Sequence, residues 1–170
     1  MKRRLTILTL TTLAAVALIG VVSTAPSPAL AEGATQISGS AVLDDPNDPP
    51  CPSVAGYEYA LVMDGDLVGC LYTHVETYVS SPSGTWRETG TERFVGSYLG
   101  ESGTFDTTYR FEAKYEDVDP LPPSGEIFGR CQHPIVEGSG TGVFEGVSGQ
   151  LFFKDDVETG EFFYRGHLRY

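Results

Sequence analysis

The chain has 170 residues, with 11 Lys and Arg against 23 Asp and Glu, a formal net charge of −12. So acidic a surface repels phosphate backbones and anionic membranes, which argues against nucleic acid as a partner. The length predicts one domain that is large enough to bury a hydrophobic core.

The first 31 residues have the three parts of a signal peptide. A basic start, Lys2-Arg3-Arg4, precedes an uncharged apolar run over residues 5–22, and Ala29-Leu30-Ala31 provides a small-x-small cleavage site. The run is just long enough to span a bilayer, so a retained anchor is the alternative. Pro26 and Pro28 favour cleavage after Ala31. We therefore expect a secreted protein of net charge −15, without stable membrane insertion after cleavage.

Three cysteines follow the expected cleavage site: Cys51, Cys70 and Cys131. An oxidising compartment allows them at most one intramolecular disulfide, with one thiol left over. The spacing leaves the pairing open between Cys51–Cys70, which we favour, and Cys70–Cys131. The unpaired cysteine is expected to be buried and inert rather than reactive.

Short apolar runs separated by turn residues predict strands along the rest of the chain. Asp64-Gly65 lies between two such runs and predicts a tight hairpin in which both turn residues have positive φ. Proline-rich and acidic stretches at 44–52 and 117–125 predict loops. The predicted strands are 36–43, 57–63, 66–79, 86–99, 105–115, 126–128, 134–137, 150–154 and 162–170.

The clearest alternation runs from Phe105 to Tyr115. Aromatic and small residues occupy one face of this segment, and Asp106, Arg110 and Lys114 lie on the other. No segment after the signal shows helical periodicity beyond two turns. Long strands joined by tight hairpins predict an all-β, antiparallel up-and-down barrel of the calycin type. We assign 1–31 to the signal peptide, 32–56 to an N-terminal strand and loop, and 57–170 to the barrel.

Motifs for catalysis, metals and nucleotides are absent or incomplete. The glycine run 138–149 lacks the Gly-Lys-Ser/Thr of a phosphate loop and the spacing of a dinucleotide fingerprint, so its glycines are interpreted as turn positions. Gly146-Val147-Ser148-Gly149 lacks the spacing of a nucleophile elbow. The three histidines are too scattered for zinc, and the acidic loops lack the EF-hand pattern. We expect no metal and no cofactor.

One stretch, Glu126 to Pro134, combines an acid, a base, a thiol and an imidazole. If it is extended, Glu126, Phe128 and Arg130 share a face, and Glu126 and Arg130 form a polar floor inside the barrel. His133 would join them as an acid–base group. The alternative is an outward salt-bridged pair, with Cys131 in a disulfide.

The glycine-rich segment 138–149, followed by Leu151-Phe152-Phe153, resembles the strand-turn signature of the allene oxide cyclase-like and dirigent-like barrels. It is also similar to an uncharacterised family of small bacterial proteins thought to share that barrel. The hairpin from Phe94 to Phe105 resembles the element that precedes it there. The resemblance spans about residues 86–153 and implies a barrel that holds small apolar molecules. It places no catalytic residue on this chain.

Three hypotheses follow for the function. The first is a secreted barrel that binds a small apolar molecule, with Tyr59, Trp86, Tyr109 and Phe111 as aromatic residues of the lumen. The second is an isomerase or cyclase in the same lumen, with acid–base groups among Glu126, Arg130 and His133. The third is an envelope or interaction protein whose barrel is fully packed. An open lumen separates the first two hypotheses from the third.

Overall fold

The computed structural model describes residues 33–45, 47, 50–119 and 121–170. The expected signal peptide lies outside these residues. The described residues form strands and turns without a helix. The strands are β1 (Thr35–Leu43), β2 (Tyr59–Gly65), β3 (Leu67–Ser80), β4 (Thr85–Tyr98), β5 (Glu101–Asp117), β6 (Ser124–Pro134), β7 (Thr141–Gly142), β8 (Ser148–Asp156) and β9 (Glu161–Arg169).

Eight of these strands close into an antiparallel barrel, which confirms the predicted fold class. Around the barrel the order is β1, β2, β3, β4, β5, β6, β8 and β9, and β9 pairs again with β1. Only β7 lies outside the ring, and its two residues add to β5 at Gly103 and Thr104. Closure removes the exposed edges that an open sheet would present.

The barrel also includes β1, which the sequence assigned to a segment before it. Thr35 pairs with Leu168 of β9, and Leu43 pairs with Leu61 of β2. The domain therefore begins at β1 rather than at residue 57. A strand of nine residues is indispensable here, because without it β2 and β9 would both become edges.

Alternation of side chains decides what fills the barrel. On β5, Phe105, Thr107, Tyr109 and Ala113 are buried, and the polar residues between them face outward, as the sequence predicts. The inward set on β4 is in register with it, since Phe94 pairs with Phe105. These two long strands therefore form one wall of the lumen.

Aromatic residues seal one end of the barrel. The glycine run 138–149 folds over that end and inserts Phe144, which is fully buried. Its ring centroid lies 5.0 Å from that of Phe105 and 5.7 Å from that of Phe94. Gly146, at φ 77°, lies in the left-handed region in the turn beside this plug. The run is therefore structural, as its turn chemistry predicts.

The first hairpin is wider than predicted. Met63 pairs with Gly69, and Asp64 has no positive φ, so the two-residue turn at Asp64-Gly65 does not form. Gly65 instead extends β2 and pairs with Gly39 of β1. Pairing with a third strand thus moves the turn towards Asp66, which the local sequence does not reveal.

The disulfide joins Cys51 to Cys70, the pairing that the sequence favoured. It attaches the loop after β1 to the outer face of the barrel, where Cys51 is buried against Ala60 and Tyr72. Cys131 is a free, buried cysteine on the inner face. A disulfide is consistent with an oxidising, extracellular location.

Candidate functional site

The end of the barrel opposite Phe144 holds an open cavity of about 850 Å³. Aromatic side chains are the largest group in its wall: Tyr59, Tyr78, Trp86, Tyr109, Phe111, Tyr115, Phe153 and Phe162. The loop residues Leu121, Pro122 and Pro123 flank its mouth. The lumen is therefore packed over one half of its length and open over the other.

Glu92 of β4 lies at the floor of this cavity with only 3% of its surface exposed. Thr107 donates to Glu92 Oε2 at 2.6 Å, and Thr73 donates to Oε1 at 3.3 Å. The Nδ1 atom of His133 lies 2.5 Å from Oε2. A buried carboxylate is costly unless it is hydrogen-bonded, and three strands provide the partners here.

His133 of β6 is equally buried, with 3% of its surface exposed. Its ring packs against Phe153, with centroids 4.5 Å apart, and against Tyr109, with centroids 6.1 Å apart. With Nδ1 bonded to Glu92, Nε2 is an acceptor in the neutral ring and a donor in the protonated ring. No protein group described by the structure bonds to this buried Nε2.

A second carboxylate of β4, Glu88, lies above the floor. Tyr109 donates to its Oε1 at 2.6 Å, and Trp86 Nε1 donates to its Oε2 at 3.3 Å. Burial raises the pKa of Tyr109, and the hydrogen bond to Glu88 raises this pKa further. Tyr109 is therefore a neutral donor whose proton is committed to Glu88.

Glu126 and Asp155 form an acidic pair on the neighbouring strands β6 and β8. Both carboxylates crowd Gly129, where a side chain would overlap with Asp155 Oδ2 and Glu126 Oε1. Tyr115 donates to Glu126 Oε2 at 3.3 Å. Burial first, and then a hydrogen bond with Glu126, raise the pKa of Asp155 to about 8. At neutral pH the pair therefore holds a proton between its two carboxyl groups.

A β-bulge explains why Glu126 enters the lumen and Arg130 does not. Lys114 pairs with Phe128 and Tyr115 with Glu126, so Ile127 is an extra residue on β6. Beyond the bulge, Phe128 and Arg130 face outward, and the expectation that they share a face with Glu126 is wrong.

The outward position gives Arg130 a different role from a polar floor. It donates to Glu112 at 2.9 Å on the outer surface, with 70% of its side chain exposed. The salt bridge that the sequence offered as the alternative thus forms with Glu112 of β5 rather than with Glu126.

Cys131 also lines the cavity. It lies two residues before His133 on β6 and therefore on the same face of the strand. Burial raises the pKa of its thiol, and the charges of Glu92 and Asp155 raise it further. Reactive cysteines need the thiolate, which these surroundings disfavour. Cys131 therefore acts as an apolar wall residue.

The structure brings together six of the seven residues that the sequence suggested for a ligand site, and Arg130 is the exception. The six are Glu126, His133, Trp86, Tyr59, Tyr109 and Phe111. Sequence reasoning missed Glu88, Glu92 and Asp155. The two glutamates are an even number of residues from Trp86 and Phe94 on β4, so all four side chains lie on the same inward face. This period of two is the signal that would have identified them.

No three His, Cys, Asp or Glu side chains in the described part of the chain are arranged to hold a metal ion. Among the same residues, no helix is long and apolar enough to cross a membrane. No protein-family model matches this chain, and the curated proteins contain no match to it.

Proposed function

We propose that this protein is a secreted barrel that binds a small, largely apolar molecule in the open half of its lumen. The cavity supports this proposal, because about 850 Å³ lies within the range typical of small-molecule sites. Its wall combines aromatic surface with a few polar groups, which is the usual composition of such sites.

The buried polar groups also favour a binding site over a barrel that serves only as a scaffold. Apolar side chains in place of Glu92 and His133 would fill the floor at a lower desolvation penalty. Phe94, Phe105 and Phe144 fill the opposite half in just this way. Polar residues that break the packing pattern on one side of a lumen are typical of functional sites.

Fluorescence of Trp86 tests the proposal directly. It is the only tryptophan of the chain and it lines the cavity, so an apolar ligand that enters the lumen should change its emission. The polarity-sensitive dye 1-anilinonaphthalene-8-sulfonate is unsuitable because it is an anion, and neutral Nile red is the better first probe.

Matched alanine variants locate the bound probe. Phe111→Ala removes a wall residue, whereas Phe128→Ala removes the same side chain from the outer face of β6, where it is 44% exposed. We expect Phe111→Ala to weaken Nile red binding about tenfold, the loss expected from one aromatic contact. Equal affinity of both variants and the wild type would place the probe elsewhere and overturn the proposal.

The pair formed by Glu92 and His133 favours a second candidate, an isomerase or cyclase in the same lumen. A histidine oriented through Nδ1 by a carboxylate has the arrangement of a general acid–base group. Incubation with apolar ketones in D₂O should then exchange the protons next to the carbonyl group. His133→Gln should abolish this exchange while Nile red still binds. Exchange that continues in the variant would reject the candidate.

A further inference from the structure

Most hydrogen-bond donors in the deep part of the lumen are already committed to its carboxylates. Five donors there already point at its carboxylates: Thr73, Trp86, Thr107, Tyr109 and Tyr115. Of the other wall tyrosines, Tyr78 is 54% exposed, whereas the hydroxyl of Tyr59 lies towards the lumen, where burial first and then the charges of Glu88 and Glu92 raise its pKa. A ligand that reaches the buried wall therefore finds few protein hydrogens to accept.

Two buried polar atoms of the cavity wall have no hydrogen-bond partner in the geometry of the described residues. These are Nε2 of His133, on a side chain that is 4% exposed, and Oε1 of Glu126. The carboxyl group of Asp155 lies beside that of Glu126 at Gly129, and a hydrogen bond with Glu126 contributes to the raised pKa of Asp155. A donor that a bound molecule brings could replace the proton that this pair shares.

The charge of the cavity wall also favours a ligand that donates hydrogen bonds. Four carboxyl groups line the cavity, those of Glu88, Glu92, Glu126 and Asp155, and no Lys or Arg of the described chain lines it. An anionic ligand would meet uncompensated negative charge at low dielectric constant. Cations are favoured both by the carboxylates and by the faces of the surrounding aromatic rings.

We propose that the ligand is a base: a largely apolar molecule whose protonated nitrogen donates hydrogen bonds to the carboxylates of Glu126 and Asp155. This inference rests on the proposed binding function and names the class of its ligand. Hydrogen bonds between an ammonium group and a carboxylate are among the strong ones in proteins. His133 pairs with Leu151 of β8, which is four residues before Asp155. About 13 Å of wall between His133 and Asp155 is therefore available to the apolar part of the ligand.

The bound nitrogen would take the place of the proton that the pair holds. When an ammonium group enters, that proton leaves to solvent, and the pair changes from one negative charge to two. The net charge of the occupied site is therefore unchanged. The other titratable groups nearby are Tyr115 on β5, Glu88 on β4 and Cys131 on β6, and β9 places Phe162 opposite Asp155. None of these neighbours provides a positive charge that would compete with the ligand.

Matched ligands test this inference on the intact protein. 1-Adamantylmethylamine, 1-adamantylmethanol and 1-adamantanecarboxylic acid share one apolar body, and the decyl amine, alcohol and acid provide a second scaffold. Titration followed by Trp86 emission gives their affinities at pH 7. We expect each amine to bind about tenfold more tightly than its alcohol, with the acid weakest. Calorimetry in buffers of different ionisation enthalpy should show proton release with the amines alone.

Variants separate failure of this inference from failure of the binding function. The double variant Glu126→Gln/Asp155→Asn removes the negative charge of the pair and should bring the amine to the affinity of the alcohol. Glu101→Gln, the same loss of one charge at the packed end, should change nothing. If the alcohols bind as tightly as the amines, the inference is wrong while the binding function stands. If no compound and no Nile red binds, both are wrong.

Discussion

Replacement of Phe144 by alanine should lower the free energy of unfolding by about 4–5 kcal/mol, the upper end of the range for buried phenylalanine. The side chain is fully buried, and its ring contacts those of Phe94 and Phe105 with centroids 5.7 and 5.0 Å apart. The surroundings have little freedom to collapse into the space, because β7 fixes the segment to β5 at Gly103 and Thr104. A residual cavity and lost aromatic contacts therefore add to the lost burial.

Urea unfolding of the oxidised protein measures this loss, and Trp86 reports it from the far side of the barrel. Phe163→Ala is the matched control, since Phe163 lies on the outer face of β9 with 49% of its surface exposed. We expect the control to lose less than about 1 kcal/mol. If Phe144→Ala also loses less than about 1 kcal/mol, the glycine run does not seal the barrel and the reasoning is refuted.

Further outcomes follow from the backbone, the cysteines and the acidic pair. Gly146→Val should lose about 1–3 kcal/mol through backbone strain alone, because φ is 77° there and no atom lies within 4 Å of the added carbon; an unchanged urea midpoint would contradict this. Thiol titration should detect one group, Cys131, and only after unfolding. Removal of the Cys51–Cys70 bridge, with its separation of 19 residues, should lower the free energy of unfolding by about 3 kcal/mol. The pKa of Asp155 is about 8 in the folded protein and about 4 in the unfolded chain. The stability that its protonated form contributes is therefore complete below about pH 4 and is lost as the pH rises through about 8. Melting temperatures from pH 5 to 9 should therefore fall more steeply for the wild type than for Asp155→Asn, and equal slopes would show that Asp155 is not protonated in the native state.

Local pattern was sufficient for the strands but not for their pairing. The alternation from Phe105 to Tyr115 identifies both the strand and its inward face, because side-chain direction has a period of two. The wider first hairpin depends on pairing with a third strand, β1, and the bulge at Ile127 is defined only by the register of β6 against β5. One extra residue reverses the facing of everything after it, which is why Arg130 was expected inside.

The floor of the site was harder to predict for a related reason. Glu92 is stabilised by Thr73, Thr107 and His133, which come from three other strands and are far apart in the sequence. An acidic residue inside a strand is ordinarily solvated, and only the assembled barrel shows that this one has partners. The aromatic wall residues were easier to identify, because interior-facing residues occupy alternate positions along every strand of a barrel.

The pairing of β1 with β9 determines when the barrel can close during synthesis. Synthesis proceeds from the N-terminus, so β1 is made long before Glu161–Arg169, the segment that completes its hydrogen bonds. Until then one side of β1 is an open edge, and contacts so distant in sequence form slowly. Nascent chains interrupted after β8 would have two such edges and would be prone to association. The strong negative charge of the chain counters this hazard, because it keeps partly folded copies apart during the interval before the ring closes.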